Sequence, residues 1–351
     1  MFTKELTDWY LKNRRELPWR GESDPYRIWI SEIILQQTRI NQGWNYYLRF
    51  IERFPDVQTL AQAPEDEVLK YWQGLGYYSR ARNLYEGARQ IMEQHNGIFP
   101  HTYDDILHIK GVGEYTAAAI ASMAFKLPYS AIDGNVSRVL SRVFGVEMPI
   151  DSTQGKKEIK QIANKLIDKS NPDVFNQALM DFGSLQCTPA SPKCNDCCMA
   201  LICKAKEEKK QAVWPVKSAK IIIRKRFLYY FFIQNKSFTY LRKRTQKDVW
   251  QGLYEFPMFE SNSQLMEKEI LASSFLTDIL RNCQWRVEKI SLPANHQLTH
   301  QLIVYQFIII NIQKGDPTFD DVVLKISLQD VENYPVAKIT EKFWRGINFF
   351  N

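Results

Sequence analysis

Four cysteines near the middle of the chain form the most specific spacing of reactive side chains in the sequence. Cys187, Cys194, Cys197 and Cys203 follow the pattern C-x6-C-x2-C-x5-C. Thiols gathered in so short a segment are metal ligands or disulfide partners more often than packing residues. The N-terminus lacks the apolar stretch of a secretion signal, so we expect a reducing compartment. The spacing therefore predicts metal binding or redox chemistry rather than structural disulfides.

Two carboxylates have surroundings that suit acid–base chemistry. Glu32 lies within the apolar stretch WISEIIL, and burial raises the pKa of a carboxyl group towards neutral pH, where it can donate a proton. Asp133 precedes the helical pattern VSRVLSRVF, whose N-terminus favours an ionised carboxylate able to face a developing positive charge. The alternatives are a solvated glutamate and an aspartate that only caps its helix.

A glycine turn between two helical patterns suits phosphate binding. Gly111 and Gly113 flank Val112 in the segment LHIKGVGEYTAAAI. Glycine allows close backbone approach, and the helix that follows presents free N–H groups to an anion. The turn resembles the helix-hairpin-helix that holds a DNA backbone without reading its sequence. Taken alone, the two glycines favour an ordinary tight turn between helices, and the match of the flanking residues reverses that preference.

The elements that carry these residues change character along the chain. Apolar residues recur at helical spacing through residues 1–185, and Asp24-Pro25 offers an N-cap followed by a first-turn proline. Strand-like runs rich in β-branched and aromatic residues follow residue 226, with a helical stretch near Leu265–Arg281 between them. Helices are predicted at about Pro64–Gly74, Ser79–Gly97, Asp104–His108, Asn135–Phe144, Lys156–Lys169 and Pro172–Leu185, and strands in RFLYYFFIQ, SFTYLRKR and QLIVYQFIII.

Composition sets the class of protein. The 351 residues favour two domains, and the apolar content of 45% argues against disorder. The net charge of +7 permits a polyanionic partner. Residues 204–226 are rich in lysine and arginine, a composition that a solvated linker would also explain. The apolar run Leu302–Ile310 is too short to span a bilayer. We expect a soluble cytoplasmic protein without a membrane partner.

Five motifs in a fixed order carry a family resemblance. SEIILQQT, WQGLGYYSRARNL, GVGEYTAAAI, DGNVSRVLSR and the four cysteines together resemble a MutY-type adenine DNA glycosylase of the helix-hairpin-helix superfamily. The matching blocks span residues 15–203, and GLYEFP at 252–257 is similar to the Nudix-like module of that family. The implied fold is a mainly α helix-hairpin-helix glycosylase core with a [4Fe–4S] cluster, followed by an α+β Nudix-like domain.

The resemblance also implies domain boundaries. The all-α catalytic region is 1–203, with a helical barrel over about 21–130 and a cluster subdomain formed by 1–20 plus 131–203. A basic linker at 204–225 precedes a domain at 226–351 that recognises 8-oxoguanine.

The implied cofactor is a [4Fe–4S] cluster on Cys187, Cys194, Cys197 and Cys203. Zinc fits less well, because four-cysteine zinc sites usually come as two CxxC pairs. Cys198 could replace its neighbour Cys197 as a ligand, although the family register favours Cys197. We expect the isolated sixth thiol, Cys283, to be a buried small residue.

The matching positions imply roles for the site residues. Glu32 protonates N7 of adenine, Asp133 stabilises the oxocarbenium ion, and Tyr115 and Asn135 position or stabilise these two carboxylates. Arg20 and Gln177 line the adenine pocket, although Arg20 equally suits a phosphate. For Leu75, core packing is the alternative. The implied DNA contacts are Gln37, Thr38, Leu75, Tyr77, Gly111, Val112, Gly113, His296, Leu298, Thr299 and His300.

The implied reaction is the removal of adenine opposite 8-oxoguanine or guanine in double-stranded DNA by a monomer that flips the nucleotide out. Lyase-type relatives carry a lysine just past the hairpin, where this chain has Glu114-Tyr115, so we expect no Schiff base and an abasic product. Leu298 and Thr299 stand where the family's 8-oxoguanine loop has Phe and Ser. The C-terminal domain lacks the glutamate box of a Nudix hydrolase, so we expect it to bind rather than hydrolyse.

Three alternatives remain open. The first is a thymine-mismatch or oxidised-pyrimidine glycosylase on the same scaffold, which leaves the C-terminal domain hard to explain. The second is a non-catalytic DNA-binding protein. The third is a Nudix-type nucleotide hydrolase, which the missing glutamate box disfavours.

Overall fold

The computed structural model describes residues 1–218, 223–319 and 322–347. Contacts divide the chain into two compact units, Met1–Ala63 with Asn83–Ala219 and Pro64–Arg82 with Lys220–Asn351. Four residues of the predicted linker, 219–222 with Lys220 among them, lie outside the described residues. In the part of the chain that is described, no helix has the length and apolar character needed to cross a membrane.

Helices make up the first unit. Helix α2 begins where the sequence predicts it, because Pro25 occupies the first turn and the Asp24 side chain accepts a hydrogen bond from Tyr26 N. The helices up to the cysteine loop are α1 Phe2–Asn13, α2 Pro25–Leu35, α3 Ile40–Arg53, α4 Val57–Gln62, α5 Glu65–Trp72, α6 Ser79–His95, α7 Tyr103–His108, α8 Glu114–Phe125, α9 Gly134–Phe144, α10 Thr153–Leu166, α11 Pro172–Leu185 and, after the cysteines, α12 Lys204–Glu207. Of these, α5 and the start of α6 belong to the second unit.

One hydrophobic core of the helical unit joins the N-terminal helix to later helices and to the cysteine loop. Leu6 of α1, Leu140 of α9 and Phe182 of α11 are buried in it together with Met199 of the loop. Each fully buried side chain of this size stabilises the fold by about 1.5–3 kcal/mol. Helix α8 packs against both α2 and α11, so three helices far apart in sequence come together beside this core.

A mixed sheet organises the second unit. Strand β1, the predicted run RFLYYFFIQ, pairs in parallel with β7, and residues Phe227–Ile233 are all buried, as in a central strand covered on both faces. The sheet order is β3-β2-β1-β7-β5, with β4 beside β1, β6 beside β7 and β8 beside β2. The strands are β1 Arg224–Asn235, β2 Phe238–Lys243, β3 Tyr254–Glu255, β4 Met258–Ser261, β5 Gln284–Ile290, β6 Ala294–Gln297, β7 Gln301–Lys314 and β8 Val323–Ser327.

Two helical segments of this unit differ from the sequence-based expectation. The stretch predicted near Leu265–Arg281 forms two short helices, α13 Glu267–Leu271 and α14 Ser274–Ile279, because the Ser273 side chain accepts a hydrogen bond from Leu276 N and starts a new helix. A 3₁₀ turn at Leu328–Asn333 and helix α15 Lys338–Ile347 complete the unit.

The segment Pro64–Arg82 groups with the sheet, whereas the sequence placed it in the helical region 1–203. The cause is a set of polar contacts made by α5: Asp66 accepts hydrogen bonds from Lys243 (2.6 Å) and Tyr254 (2.8 Å), and Lys70 donates to the carbonyl of Glu332. Helical periodicity predicts such a helix but not the partner that covers it.

The predicted linker 204–225 also contains regular structure. Its first residues form α12, and its last two, Arg224 and Lys225, are already in β1, where Arg224 pairs with Gln301 of β7.

Candidate active site and cysteine cluster

A cavity of 1410 Å³ opens in the helical unit. Its wall combines residues from the loop before α2, from α2, α8, α10 and α11, and from the loop before α9. Glu32, Tyr115 and Asp133, which lie far apart in sequence, meet on this wall. A concave site with a few convergent polar groups is the usual form of a ligand-binding or active site.

Glu32 is a buried acid held by a phenol. Its side chain is 7% exposed, and the Tyr115 hydroxyl donates a hydrogen bond to Oε2 at 2.5 Å. Burial raises the pKa of Glu32 above its ordinary value, and the Tyr115 bond and the positive charge of Arg20 offset part of that rise. The predicted direction is confirmed. Burial, the Glu32 charge and the Asp133 charge also raise the pKa of Tyr115, so the phenol stays neutral.

Asp133 caps α9, as the sequence predicts. Val136 N donates to Oδ1 at 2.7 Å, and the Asn135 side-chain amide donates to Oδ2 at 2.7 Å. Burial raises the pKa of Asp133, while these two bonds and the charge of Arg138 act in the opposite direction. Arg138 donates to the amide oxygen of Asn135 at 2.9 Å, which turns the Asn135 amide nitrogen towards Asp133.

A second polar group on the wall contains a residue that the sequence did not single out. Arg20 donates to the Gln177 side-chain oxygen at 2.7 Å and to Asp181 Oδ1 at 2.6 Å. Asp181 is fully buried and also accepts a hydrogen bond from Arg15. The sequence feature that could have indicated Asp181 is its position four residues after Gln177, on the same face of α11.

Gln37 and Thr38, predicted to contact DNA, line the same cavity just after α2. The turn Gly111-Val112-Gly113 joins α7 to α8, and none of its three residues is among those that line the cavity. Gly111 has φ +79°, and a Cβ there would lie 2.5 Å from Asn83 Cβ, so this position requires glycine.

The remaining predicted contacts lie in the sheet unit. Leu75 is 8% exposed, as the packing alternative expects, whereas Tyr77 is 46% exposed and has φ +47°. The Tyr77 and Thr299 hydroxyls are 2.7 Å apart and hydrogen-bonded. The loop between β6 and β7 is thus tied to residue 77.

The same loop is closed tightly at its base. Leu298 N donates to the carbonyl of Gln301 at 2.8 Å, and the neighbouring His300 is exposed. The His296 ring lies 5.9 Å from Trp250, and burial lowers the pKa of this histidine. His296 is therefore neutral near pH 7.

The four cysteines of the spacing pattern converge on one another. Electrostatic interaction couples Cys203 to Cys187 and Cys194, and Cys197 to Cys187 and Cys203. Burial raises the pKa of Cys197 to about 11, so the thiolate form there needs a compensating positive charge. One positive charge lies beside the group, because Arg142 Nη1 is 3.5 Å from Sγ of another of the four cysteines, Cys187. Within the described residues, no group of three or more His, Cys, Asp and Glu side chains is arranged to hold a single metal ion.

The two remaining thiols are placed differently. Cys198 packs against the same helical core as Cys187, Cys197 and Cys203, burial and the charge of Glu5 raise its pKa, and it interacts electrostatically with Cys197. Cys283 is partly buried beside the core of the sheet unit, so the expectation of a buried residue is met in part.

Comparison with known proteins places the two units in families. The model of the HhH-GPD superfamily base excision DNA repair proteins matches residues 30–169, and that of the NUDIX domain matches residues 229–346. The adenine DNA glycosylase of Buchnera aphidicola subsp. Baizongia pistaciae is 36% identical over 322 residues, covering 90% of this chain and 87% of that protein. The adenine DNA glycosylase of Homo sapiens is 40% identical, covering 60% of this chain and 40% of that protein.

Solved structures agree on the fold. A thermostable thymine-DNA glycosylase superposes with a TM-score of 0.56 at 31% identity, covering 59% of this chain and 95% of that one. A trapped endonuclease III–DNA covalent intermediate superposes with a TM-score of 0.52 at 22% identity, a likeness in fold. The predicted fold class is confirmed. The chain belongs to the adenine DNA glycosylase family, with a helix-hairpin-helix glycosylase core followed by a Nudix-like C-terminal domain.

Proposed function

We propose that this enzyme removes adenine mispaired with 8-oxoguanine or guanine in double-stranded DNA, in base excision repair, and leaves an abasic site. The observation that carries the proposal is the buried Glu32, which accepts a hydrogen bond from Tyr115 and lies on the same cavity wall as Asp133, in a chain of this family. The cavity accommodates a base, whereas duplex DNA keeps the glycosidic bond out of reach until the nucleotide is flipped.

Each carboxylate has one task in the reaction. Protonated Glu32 donates its proton to N7 of the bound adenine, which turns a poor leaving group into a neutral one. As the bond from C1′ to N9 breaks, positive charge develops on the sugar, and ionised Asp133 stabilises it. Water then adds its hydroxyl to C1′ and releases a proton. Asn135 holds the Asp133 carboxylate in place throughout.

The reaction is proposed to be hydrolytic rather than a lyase reaction. Glu114 and Tyr115 follow the hairpin, and neither offers an amine to the sugar. The lysines on the cavity wall come from α10 and, at Lys217, from the segment after α12, and one of them, Lys160, is paired with Glu114 at 2.8 Å. The missing amine at residue 115 therefore supports a monofunctional glycosylase.

The deciding assay uses a duplex with adenine opposite 8-oxoguanine. We expect free adenine to be released, and strand breaks to appear only after alkali. A thymine–guanine duplex and free nucleotides with Mg²⁺ are the controls, and neither should react. Release of thymine but not adenine would contradict the proposed substrate, and breaks without alkali would show that a lysine of the wall reaches the sugar.

The C-terminal domain is proposed to read 8-oxoguanine through the loop His296–His300. The hydrogen bond between Thr299 and Tyr77 supports this, because it fixes the loop before DNA arrives. Thr299 supplies the hydroxyl expected of the family's serine, and Leu298 supplies an apolar wedge.

A [4Fe–4S] cluster is proposed on Cys187, Cys194, Cys197 and Cys203. The proximity of the four thiols and their C-x6-C-x2-C-x5-C spacing support this assignment. Cys187 follows α11, and Cys203 caps α12, so the cluster would close the intervening loop against the helical core. Its role is structural, since the catalytic carboxylates lie elsewhere.

Cys197→Ala and Cys198→Ala form a matched pair of variants. We expect Cys197→Ala to lose its iron and unfold at a lower temperature, and Cys198→Ala to keep the brown colour with four iron atoms per chain. Iron and sulfide analysis with thermal unfolding measures both. A colourless zinc protein, or loss of iron in the Cys198 variant alone, would contradict this assignment.

A further inference from the structure

The Asp181 carboxylate is the most deeply buried acid of the helical unit that the reaction above does not use. It is fully buried, and it accepts hydrogen bonds from the side chains of both Arg15 and Arg20. Arg15 also approaches through its backbone N–H, 3.5 Å from Oδ2. A buried carboxylate between two guanidinium groups fixes both of them, because each bond is charge-assisted.

Arg20 in turn fixes the orientation of Gln177 on the cavity wall. Guanidinium groups only donate hydrogen bonds, so the Arg20 contact at 2.7 Å must be made by the oxygen of the Gln177 amide. The Tyr10 hydroxyl donates to the same oxygen at 3.0 Å. The Gln177 amide is thereby locked with its nitrogen turned away from both donors. Asp181 is the anchor of this chain of contacts.

Asp181 also balances charge beside the catalytic acid. Tyr115 of α8, Arg20 of the loop before α2 and Asp133 at the start of α9 are the titratable or charged groups that act on Glu32. Among them only Arg20 is positive, and Asp181 of α11 neutralises it at 2.6 Å. Without the negative charge of Asp181, the net positive field at Glu32 would be stronger.

We propose that Asp181 is a positioning residue for adenine removal, which orients Arg20 against Gln177 and limits the positive charge that reaches Glu32. The inference rests on the proposed function. It predicts two separate effects of Asp181→Asn, which keeps an acceptor oxygen for Arg20 but removes the charge.

The first effect is on the rate and the second on its pH dependence. We expect single-turnover adenine release to fall about 10- to 100-fold, because the pocket is held less firmly, with little change in DNA affinity. The reaction needs protonated Glu32, so its rate falls as pH rises through the pKa of that residue. Uncompensated Arg20 favours ionised Glu32, so this basic limb should move to lower pH by about 0.5–1 unit.

The control is Asp173→Asn, which removes the same charge from α11 where it pairs with Lys126, away from the residues of the cavity wall. We expect the wild-type rate and pH midpoint for this variant. Adding Arg20→Gln to Asp181→Asn should return the midpoint towards the wild-type value.

An unmoved or raised midpoint in Asp181→Asn would overturn the inference, even with a lower rate, since a merely structural defect lowers the rate at every pH. If Asp181→Asn yields no folded protein, Asp181→Glu replaces it. We expect this variant to release adenine more slowly than the wild type with an unchanged pH midpoint. A wild-type rate would overturn the inference. The wild-type protein is assayed in parallel to separate a failure of this inference from a failure of the proposed function. If the wild-type protein releases no adenine, the proposed function is refuted instead.

Discussion

Replacing Glu32 with glutamine is expected to slow adenine release by about 10²- to 10⁴-fold, the usual contribution of a general acid. Glutamine keeps the length of the side chain and can still accept the Tyr115 hydroxyl bond, but it has no acidic proton to give. Single-turnover release from a duplex with adenine opposite 8-oxoguanine measures the loss. Wild-type release should also fall as pH rises, because burial raises the pKa of Glu32 and the active form is the protonated one.

Binding separates this outcome from a folding defect. The variant should bind the mismatched duplex with about wild-type affinity, since Glu32 is buried and the affinity for DNA comes largely from basic side chains that contact phosphates. Glu22→Gln is a suitable control, because Glu22 lies on the loop before α2 and outside the cavity wall. Release of adenine by Glu32→Gln at the wild-type rate would show that Glu32 is not the general acid.

Asp133 carries the second large effect, and two substitutions divide its roles. Asp133→Asn should lower the rate about 10²- to 10³-fold, because the negative charge that faces the sugar cation is lost. Asparagine is as good an N-cap as aspartate, so the bond to Val136 N and the stability of α9 should survive. The rate of adenine release and the unfolding temperature are the two measurements.

Asp133→Ala removes the cap as well. We expect the same loss of rate together with about 1 kcal/mol of lost stability, seen as a fall of the unfolding midpoint by a few degrees. Ser152→Ala, which removes the cap of α10, is the stability control with activity retained. Equal rates for Asp133→Asn and wild type would rule out the electrostatic role.

Local signals made much of the helical unit predictable from sequence. Asp24-Pro25 starts α2 by steric and hydrogen-bonding effects confined to a few residues, and Asp133 does the same for α9. The raised pKa of Glu32 followed from its apolar neighbours, because a charged group within such a run loses its hydration when the helix packs.

Long-range partners explain what sequence reasoning missed. Asp181 looks like an ordinary polar residue on α11, and its importance comes from Arg15 and Arg20, more than 150 residues earlier in the chain. Strand β5, QWRVEKI, alternates between exposed and half-buried positions and lacks the apolar density that revealed β1. Its place in the sheet depends on pairing with β7, which no local pattern encodes.

The grouping of Pro64–Arg82 with the sheet has a consequence for how this protein can change over time. The chain crosses between its two units three times, at 63–64, 82–83 and 219–220, so the Nudix-like domain is not a terminal module that recombination can exchange with one cut. Loss of the Asp66 carboxylate would remove a hydrogen-bond acceptor from both Lys243 and Tyr254, some 180 residues away. The segment Pro64–Arg82 and the sheet are therefore expected to change together as parts of one compact unit, although the two family models divide them.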